Sequence, residues 1–543
     1  MGAQLTPIIF FPHLPKSPPR AACPGRRGGT SSFPFPLISM KNFSRCLLPK
    51  PLLTALLAAG SFAPALAQTT ETGAAQNPVI KGDTAKAVAY SAPAGAPAPA
   101  AKIPFDGMDL SWVNGQNRQQ NFPLQFKDKD GETVLTATTF LDGYYNYNFA
   151  RPLDHTQTIS AVTGRAQEFS VALASIGIES NYKNIIGRLW LQTGSMLNVI
   201  QETDASVLRG RNTGTTIGAN GVNNGVGITT NNLKYIREAA AGYHFNVAYG
   251  LNLELGIFMS YIGLESYVTQ ENWSYQRSLV CDFTPFYFQG ARAQFYPSKK
   301  FKTELWLMNG WQTYHTYNNR PAIGNSNYYR PNENLQLVAN FYYGNDSRPT
   351  ADSLAVGRAS YPNVQRFHHD NSIVARYYHK DKRGPLHGIT QAAFSLNTHF
   401  GFQSGDGVAI KNNYMVGSSL ANRIWFAKNK LAVTTRVGFV NNPSRYLSFN
   451  PAVPGGDGTN AFTRTDAKNL RAEEGTITFD MMPSDFVTFR VEYVHRSANV
   501  PYFAGPGGTT SPSGYADQVL PRSYQPDLRD YENRLIFAVN FRL

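Results

Sequence analysis

The chain has 543 residues, 13% of them aromatic, and a formal net charge of +14 at pH 7. Its basic residues lie singly among Asp and Glu rather than in runs, which argues against a surface that follows nucleic-acid phosphates. Three cysteines are too few for a disulfide framework, and beyond residue 67 no apolar run reaches the roughly 18 residues of a membrane-spanning helix.

The N-terminal region has the features of processed sequence. A basic head and an apolar run precede an Ala-Leu-Ala site, the form of a cleaved secretory signal. We therefore expect a signal peptide at 40–67 and a mature start near Gln68, and we interpret residues 1–39 as a mis-assigned N-terminal extension. Residues 1–67 hold seven basic and no acidic residues, so their removal lowers the formal charge from +14 to +7.

Two segments separate the signal from the main domain. Residues 68–104 are rich in Ala and Pro and are predicted to be a flexible linker, because such a composition buries no core. Residues 105–130 are mostly polar and too short for a folded plug domain, so we interpret them as a periplasmic or lumenal lead-in. Residues 131–543 form the predicted main domain.

Apolar and polar residues alternate with a period of two along most of that domain. The pattern is clearest at 135–149, 251–259, 431–439 and 535–543, where one face is apolar and the other is polar or charged. Placing Arg or Lys against lipid costs about 2–4 kcal/mol near the bilayer midplane, so the charged face must contact water. The pattern predicts an all-β fold, a transmembrane antiparallel β-barrel with a wet lumen.

Connections of two lengths alternate along the domain, as the short periplasmic turns and long extracellular loops of an outer-membrane barrel do. Seven short connections and eight long ones predict 16 strands, with 14 and 18 left open, and the weakest of these strands is 322–330. The short connections lie near 182–185, 247–250, 297–301, 331–334, 381–387, 427–430 and 483–485. The long ones lie near 150–167, 195–235, 261–285, 311–320, 345–370, 403–413, 441–472 and 497–530.

Four ordered motifs resemble the OmpL-like β-barrel porin family of Gram-negative bacteria. They are FLDGYY at 140–145, GIFMSYIGLE at 256–265, MNGW at 308–311 and RVEY at 490–493. The resemblance covers roughly residues 105–543 and implies a porin in the lipid of the cell outer membrane, inserted by the barrel-assembly machinery. One departure is the terminal Leu543, since many outer-membrane barrels end in an aromatic residue.

Charged residues on the predicted inner face are candidates to line a pore. Opposed charges across a lumen order water and favour small polar or ionic solutes. The alternative is that they pair with one another and stabilise the wall. The candidates are Arg188, Glu254, Arg292, Glu304, Arg376, Arg436, Arg490 and Glu492.

The long connection at 261–285 is the candidate constriction, because it carries charges together with bulky aromatic residues. Its charged candidates are Glu265, Glu271, Arg277 and Asp282. The alternative is a surface loop without contact to the pore. His368, His369 and Asp370 are expected in another loop without a partner cluster, so we predict no metal site there.

These patterns favour a porin that allows passive diffusion of small polar or ionic solutes through a water-filled lumen. Neither a nucleophile elbow nor a His-Glu-x-x-His or Cys-x-x-Cys motif occurs, so we expect no enzyme activity and no cofactor. Two alternatives stay open, an outer-membrane barrel enzyme of the lipase or protease type and a closed structural or adhesin barrel. A homotrimer is left open as well.

Overall fold

The computed structural model describes residues 102–113, 122–155, 157, 162–197, 233–316, 318, 320–346, 363–380, 388–411, 413–443, 469–508 and 527–543. The predicted N-terminal extension, the signal peptide, most of the linker and the predicted turn at 381–387 lie outside the described residues.

Sixteen long strands of the described residues form a closed antiparallel β-barrel. Each strand pairs with its neighbours in the chain, and the final strand returns to pair with the first long one. The long strands are β2 (Thr133–Asn148), β3 (Phe169–Tyr182), β4 (Ile185–Thr193), β5 (Ile236–Phe245), β6 (Leu251–Met259), β7 (Tyr287–Ser298), β8 (Phe301–Met308), β9 (Ala322–Asn332), β10 (Leu335–Gly344), β11 (Val364–His379), β12 (Ile389–Gly405), β13 (Tyr414–Phe426), β14 (Leu431–Pro443), β15 (Asn469–Met481), β16 (Val487–Ala498) and β19 (Tyr531–Arg542).

Three short strands complete the set. They are β1 (Gln125–Lys127), which pairs with β2, and β17 (Phe503–Ala504) and β18 (Leu528–Arg529), which pair with each other in the connection before β19. The predicted fold class and the strand number are therefore confirmed, including the weakest strand, which is β9.

The alternation of the sequence sets which side chains point out of the barrel. Along β2, Asp142, Asn146 and Asn148 are buried on the inner face, and Leu141 is exposed on the outer face. Leu255 of β6 and Val437 of β14 are 69% and 59% exposed, as expected for side chains that face lipid. Among the described residues, no helix is long and apolar enough to cross a membrane.

The end of β6 departs from the alternation. Ile257 and Met259, expected on the outer face, are as buried as Phe258 between them. Ile257 and Met259 join a cluster of buried apolar side chains that includes Tyr267, which lies in the connection that follows β6. The last residues of this strand are therefore packed on both sides.

The start of β11 corrects a second expectation. His368, His369 and Asp370 lie within this strand and pair with β10 and β12, not in a loop. The polar character of His368 and Asp370 reflects the inner wall, where both are buried, whereas His369 alternates to the other face of the strand.

Candidate functional site

The connection between β6 and β7 lies inside the lumen and is here named the inner loop (residues 260–286). Every residue of it except Leu264 and Glu265 is buried. It contains a 3-10 turn at Thr269–Glu271 and a one-turn helix, α1, at Leu279–Asp282, which is capped by the side chain of Ser278. Its contacts are with inward-facing residues of the wall, so it fills the barrel from within.

Two arginines on the far wall hold the inner loop by its backbone. Arg490 of β16 donates to the carbonyl oxygens of Thr269 and Trp273 at 2.9 Å each and to that of Asn272 at 3.2 Å. Arg436 of β14 donates to the carbonyl oxygen of Gln276 at 2.8 Å. Because the donors are charged, each bond is worth about 1.5–3 kcal/mol.

Carboxylates of the same wall accept from the loop's backbone and side chains. Glu492 of β16 accepts from the amides of Tyr275 and Gln276 at 2.6 and 2.9 Å. Asp142 of β2 accepts from the hydroxyls of Thr269 and Tyr275 at 2.8 and 2.9 Å. Backbone groups that leave regular structure inside a lumen are thereby satisfied.

The first residues of the loop are bound to another part of the wall. Asn340 of β10 donates to the carbonyl oxygen of Tyr261 at 2.6 Å, and the amide of Gly263 donates to Asp370 of β11 at 3.3 Å. In the ring of sixteen strands, β14 and β15 lie eight positions from β6 and β7. The inner loop therefore spans the lumen from the strands that bear it to the opposite wall.

A second inner segment, residues 102–113, is here named the N-terminal strap. The amide of Phe105 donates to the Lys299 carbonyl oxygen in the turn after β7, and its ring packs on Tyr328 of β9 at 5.6 Å between centroids. Asp109 pairs with Arg376 of β11 at 2.6 Å. The strap thus follows the inner wall near the short turns from β7 to β11.

Trp112 joins the strap to the inner loop. Its indole nitrogen donates to the carbonyl oxygen of Glu333 at 3.1 Å, and its own carbonyl oxygen accepts from the indole of Trp273 at 3.3 Å. Both tryptophans pack with Trp425 of β13 in one buried apolar cluster. Strap and loop therefore fill the same half of the lumen.

The constriction candidates all lie in the inner loop and contact the wall or the loop itself. Glu265 pairs with Arg436 at 2.8 Å, and Asp282 pairs with Arg496 of β16 at 3.3 Å. Glu271 lies 4.0 Å from Arg542 of β19. Arg277 donates to Thr284 within the loop at 2.8 Å.

The candidates on β11, β14 and β16 point inward but are covered. Arg436, Arg490 and Glu492 are buried beneath the inner loop, and the side chain of Arg376 is buried beneath the strap. The sequence led us to expect contact with lumen water for these four residues. The difference arises because two other segments of the chain occupy the space they face.

The candidates on β4, β6, β7 and β8 form a separate network. The carboxylate of Glu254 is shared by Arg188 and Arg292, which bind one oxygen each. Arg188 also reaches Glu238 of β5 at 3.4 Å. On β8, Glu304 pairs with Lys302 at 2.9 Å. Here the two arginines keep 11% and 12% of their side chains exposed.

Comparison with known proteins assigns the family. The profile described as "Putative beta-barrel porin-2, OmpL-like" matches residues 134–520, more than half of the chain. The chain belongs to this porin family. It is therefore a barrel of the outer membrane, in keeping with the exposed apolar outer face. No curated protein matches the sequence.

Solved outer-membrane barrels are similar in fold at low sequence identity. OprB of Pseudomonas putida is 8% identical, with 76% of this chain and 94% of that chain covered and a TM-score of 0.44. OmpT of Vibrio cholerae is 8% identical, with 76% of this chain and 97% of that chain covered and a TM-score of 0.41. An anion-selective porin from Comamonas acidovorans is 7% identical, with 75% of this chain and 99% of that chain covered and a TM-score of 0.41.

Sequence reasoning missed several residues that hold the inner segments of this porin. The alternation of β15 places Glu474 and Asp480 on the inner face, so the pattern predicts the direction of their side chains. It does not predict which groups the two carboxylates bind. Glu474 accepts from the amide of Leu279 at 2.8 Å, and Asp480 bridges Arg423 and Arg490 at 2.5 and 2.8 Å.

The histidines and the cysteine of the described residues are possible metal ligands or reactive groups. His368 and His399 lie 3.1 Å apart between ring nitrogens, and no group of three or more His, Cys, Asp or Glu in the described part of the porin is arranged to hold a metal ion. Cys281 of α1 is a free thiol whose sulfur lies 3.4 Å from the Asn397 amide oxygen. Burial raises the pKa of this thiol to about 12, which keeps the reactive thiolate scarce at neutral pH.

Proposed function

We propose that this porin is a passive diffusion channel for small polar or ionic solutes, without enzyme activity. The observation that carries the proposal is the solvent contact of Arg188 and Arg292 on the inner wall. The inner loop and the strap cover inward charges from β11 to β16, whereas these two side chains on β4 and β7 stay partly exposed. The proposed passage runs beside this part of the wall.

The experiment is conductance of the full chain in planar bilayers, together with swelling of liposomes in small sugars and amino acids. We expect discrete single-channel steps and swelling that falls with solute size. To locate the passage, Arg188→Cys is treated with a bulky charged thiol reagent, which should lower conductance. The untreated variant and a Val437→Cys variant, with its thiol on the outer face, are the matched controls. A conductance that does not change after modification of the cysteine at position 188 would contradict the proposed route.

A closed structural barrel is the second candidate, because nearly every residue of the inner loop is buried. It predicts folded, inserted barrels that show neither steps nor swelling, and that outcome would overturn the channel. A homotrimer and insertion by the barrel-assembly machinery stay predictions. The mass of the detergent-solubilised protein tests the first of these.

A further inference from the structure

We propose that Arg188 and Arg292 form a binding site for the carboxylate group of small organic anions that pass through the channel. The proposal rests on the proposed function and adds a solute class to it. Three observations support it: the placement of the two guanidinium groups on one patch of the inner wall, the burial of the two glutamates that bind them, and the donors that remain on each arginine.

The surroundings of Arg188 follow from the register of four strands. Arg188 lies opposite Ala240, Ala240 opposite Gly256, and Gly256 opposite Gly290, so one inward row contains an arginine followed by three very small residues. A Cβ atom at Gly256 or Gly290 would lie 2.0 Å from a carbonyl oxygen of the neighbouring strand. These two positions therefore cannot carry side chains, and Ala240 between Arg188 and Gly256 is buried in a cluster with Phe258 and Trp306.

Arg292 is the second arginine on this patch of the inner wall. It lies opposite Glu254 in the next row, and its guanidinium carbon is 4.7 Å from the centre of the Phe258 ring and 5.2 Å from that of Trp306. The guanidinium of Arg188 lies 6.0 Å from the same Phe258 ring. Aromatic faces and a shared carboxylate thus hold both cations in defined positions.

Two of the acids in the network are more deeply buried than the arginines they bind. The side chains of Glu238 and Glu254 are 2% and 1% exposed, against 11% and 12% for Arg188 and Arg292. The buried carboxylates of Glu238 and Glu254 fix the guanidinium groups. A third carboxylate, that of Glu179 on β3, lies opposite Arg188 and accepts from the indole of Trp190 at 2.7 Å. A solute at this site therefore meets the remaining N–H donors of both arginines, with Glu179 as the partly exposed carboxylate beside Arg188.

Each arginine has donors left over for a solute. Arg292 uses Nε and one terminal nitrogen on Glu254, while Arg188 uses one terminal nitrogen on Glu254 and the other on Glu238. A guanidinium carries five N–H groups in a planar fork that matches a carboxylate, which a lysine ammonium does not reproduce. The geometry therefore favours a carboxylate over a spherical anion such as chloride.

Bilayer recordings separate this site from a general attraction for anions. In a KCl gradient the reversal potential of the wild type should indicate anion preference, and Arg292→Gln should lower that preference several-fold. Glu254 keeps Arg188 as its partner in this variant, which protects the fold. Lys428→Gln, which removes the same charge from an exposed turn, is the matched control and should leave the reversal potential unchanged.

Acetate tests whether the planar guanidinium group of Arg292 recognises a carboxylate. Added to the KCl bath, acetate should reduce the chloride current of the wild type in a saturable manner. Arg292→Lys should keep the anion preference but raise the half-blocking acetate concentration about tenfold. Equal block in wild type and Arg292→Lys, or a reversal potential that Arg292→Gln leaves unchanged, would overturn the carboxylate site while leaving the channel in place.

A binding measurement covers the case in which no channel opens. Acetate should raise the unfolding temperature of the detergent-folded barrel above that in chloride at equal ionic strength, and Arg292→Lys should lose this difference. Barrels that show this shift but conduct nothing would refute the diffusion channel and retain the site. Barrels that conduct but show neither shift nor block would refute the site and retain the channel.

Discussion

Arg490→Gln should loosen the middle of the inner loop without opening the barrel wall. The substitution removes the charged donors to three loop carbonyl oxygens, while Asp480 keeps Arg423 as its partner. Loss of one member of a buried, hydrogen-bonded charge pair costs about 3–5 kcal/mol. Other anchors persist, since Glu492 and Glu474 still accept from loop amides. We therefore take about 3 kcal/mol as the loss in the free energy that holds the loop closed.

That loss can be read at Cys281, which lies in the inner loop itself. The thiol is buried and its pKa is raised to about 12, so in the closed state it should resist maleimide between pH 7 and 9. When opening is fast and rare, the labelling rate follows the open population. Since 1.4 kcal/mol is a factor of ten, a loss of about 3 kcal/mol should speed labelling by about a hundredfold.

The assay is the time course of labelling of the Cys281 peptide by mass spectrometry, with the barrel folded in detergent. Arg471→Gln is the matched control, because Arg471 is an exposed arginine of β15 and its removal leaves the loop contacts intact. Heat-modifiable migration of the barrel reports whether either variant unfolds globally. A labelling rate for Arg490→Gln within about threefold of the control would refute the anchoring role, given the tenfold change per 1.4 kcal/mol.

Three further outcomes are expected. Trp112→Ala should cost about 3–5 kcal/mol of strap docking, seen as faster proteolysis of residues 102–113 while the barrel persists; unchanged proteolysis would contradict it. Leu255→Arg places a charge at a position whose side chain is 69% exposed on the lipid-facing side. It should lower the free energy of unfolding of the barrel in vesicles by about 2–4 kcal/mol, whereas Leu255→Ile should leave it unchanged. A double-mutant cycle of Trp112→Ala with Arg490→Gln, read by thiol labelling, should give a coupling above about 0.5 kcal/mol if strap and loop act as one unit, and a value near zero would show that they are independent.

The sequence predicts the barrel well because the signal is local. Alternation over a single strand decides which residues face lipid, and the contrast between short turns and long loops orders the strands, so even β9 was recovered. Such reasoning indicates the direction of a side chain but not what covers it. Arg490 lies on the inner face, yet the carbonyl oxygen it binds at Thr269 is 221 residues away in the chain. No pattern within a strand encodes that contact.

The start of β11 shows a second limit of reasoning from a local pattern, because a strand is present where the sequence predicts a loop. The sequence places His368 and Asp370 in a long connection, but an inner wall that faces other protein can be polar without being a loop. Asp370 accepts from Asn340 at 3.0 Å and from the Gly263 amide at 3.3 Å, so its partners come from a neighbouring strand and from the inner loop. His369 and Asn371 are polar as well and lie on the other face of the strand, so the alternation that predicts a strand is broken at this point.

The inward charges of β14 to β16 are best understood as anchors for the inner loop, and not as supports of the wall. The backbone ladder of the barrel closes without any side-chain pair, since every strand is bonded on both sides. An inward charge that faced water would add little to stability, because solvated ion pairs are worth about 0–1 kcal/mol. Covered by the loop, the same charges satisfy backbone groups that no strand can reach, as Arg490 and Glu492 do. It follows that the charges near β16 fix the shape of the lumen, whereas Arg188 and Arg292, which nothing covers completely, are left to meet what passes through it.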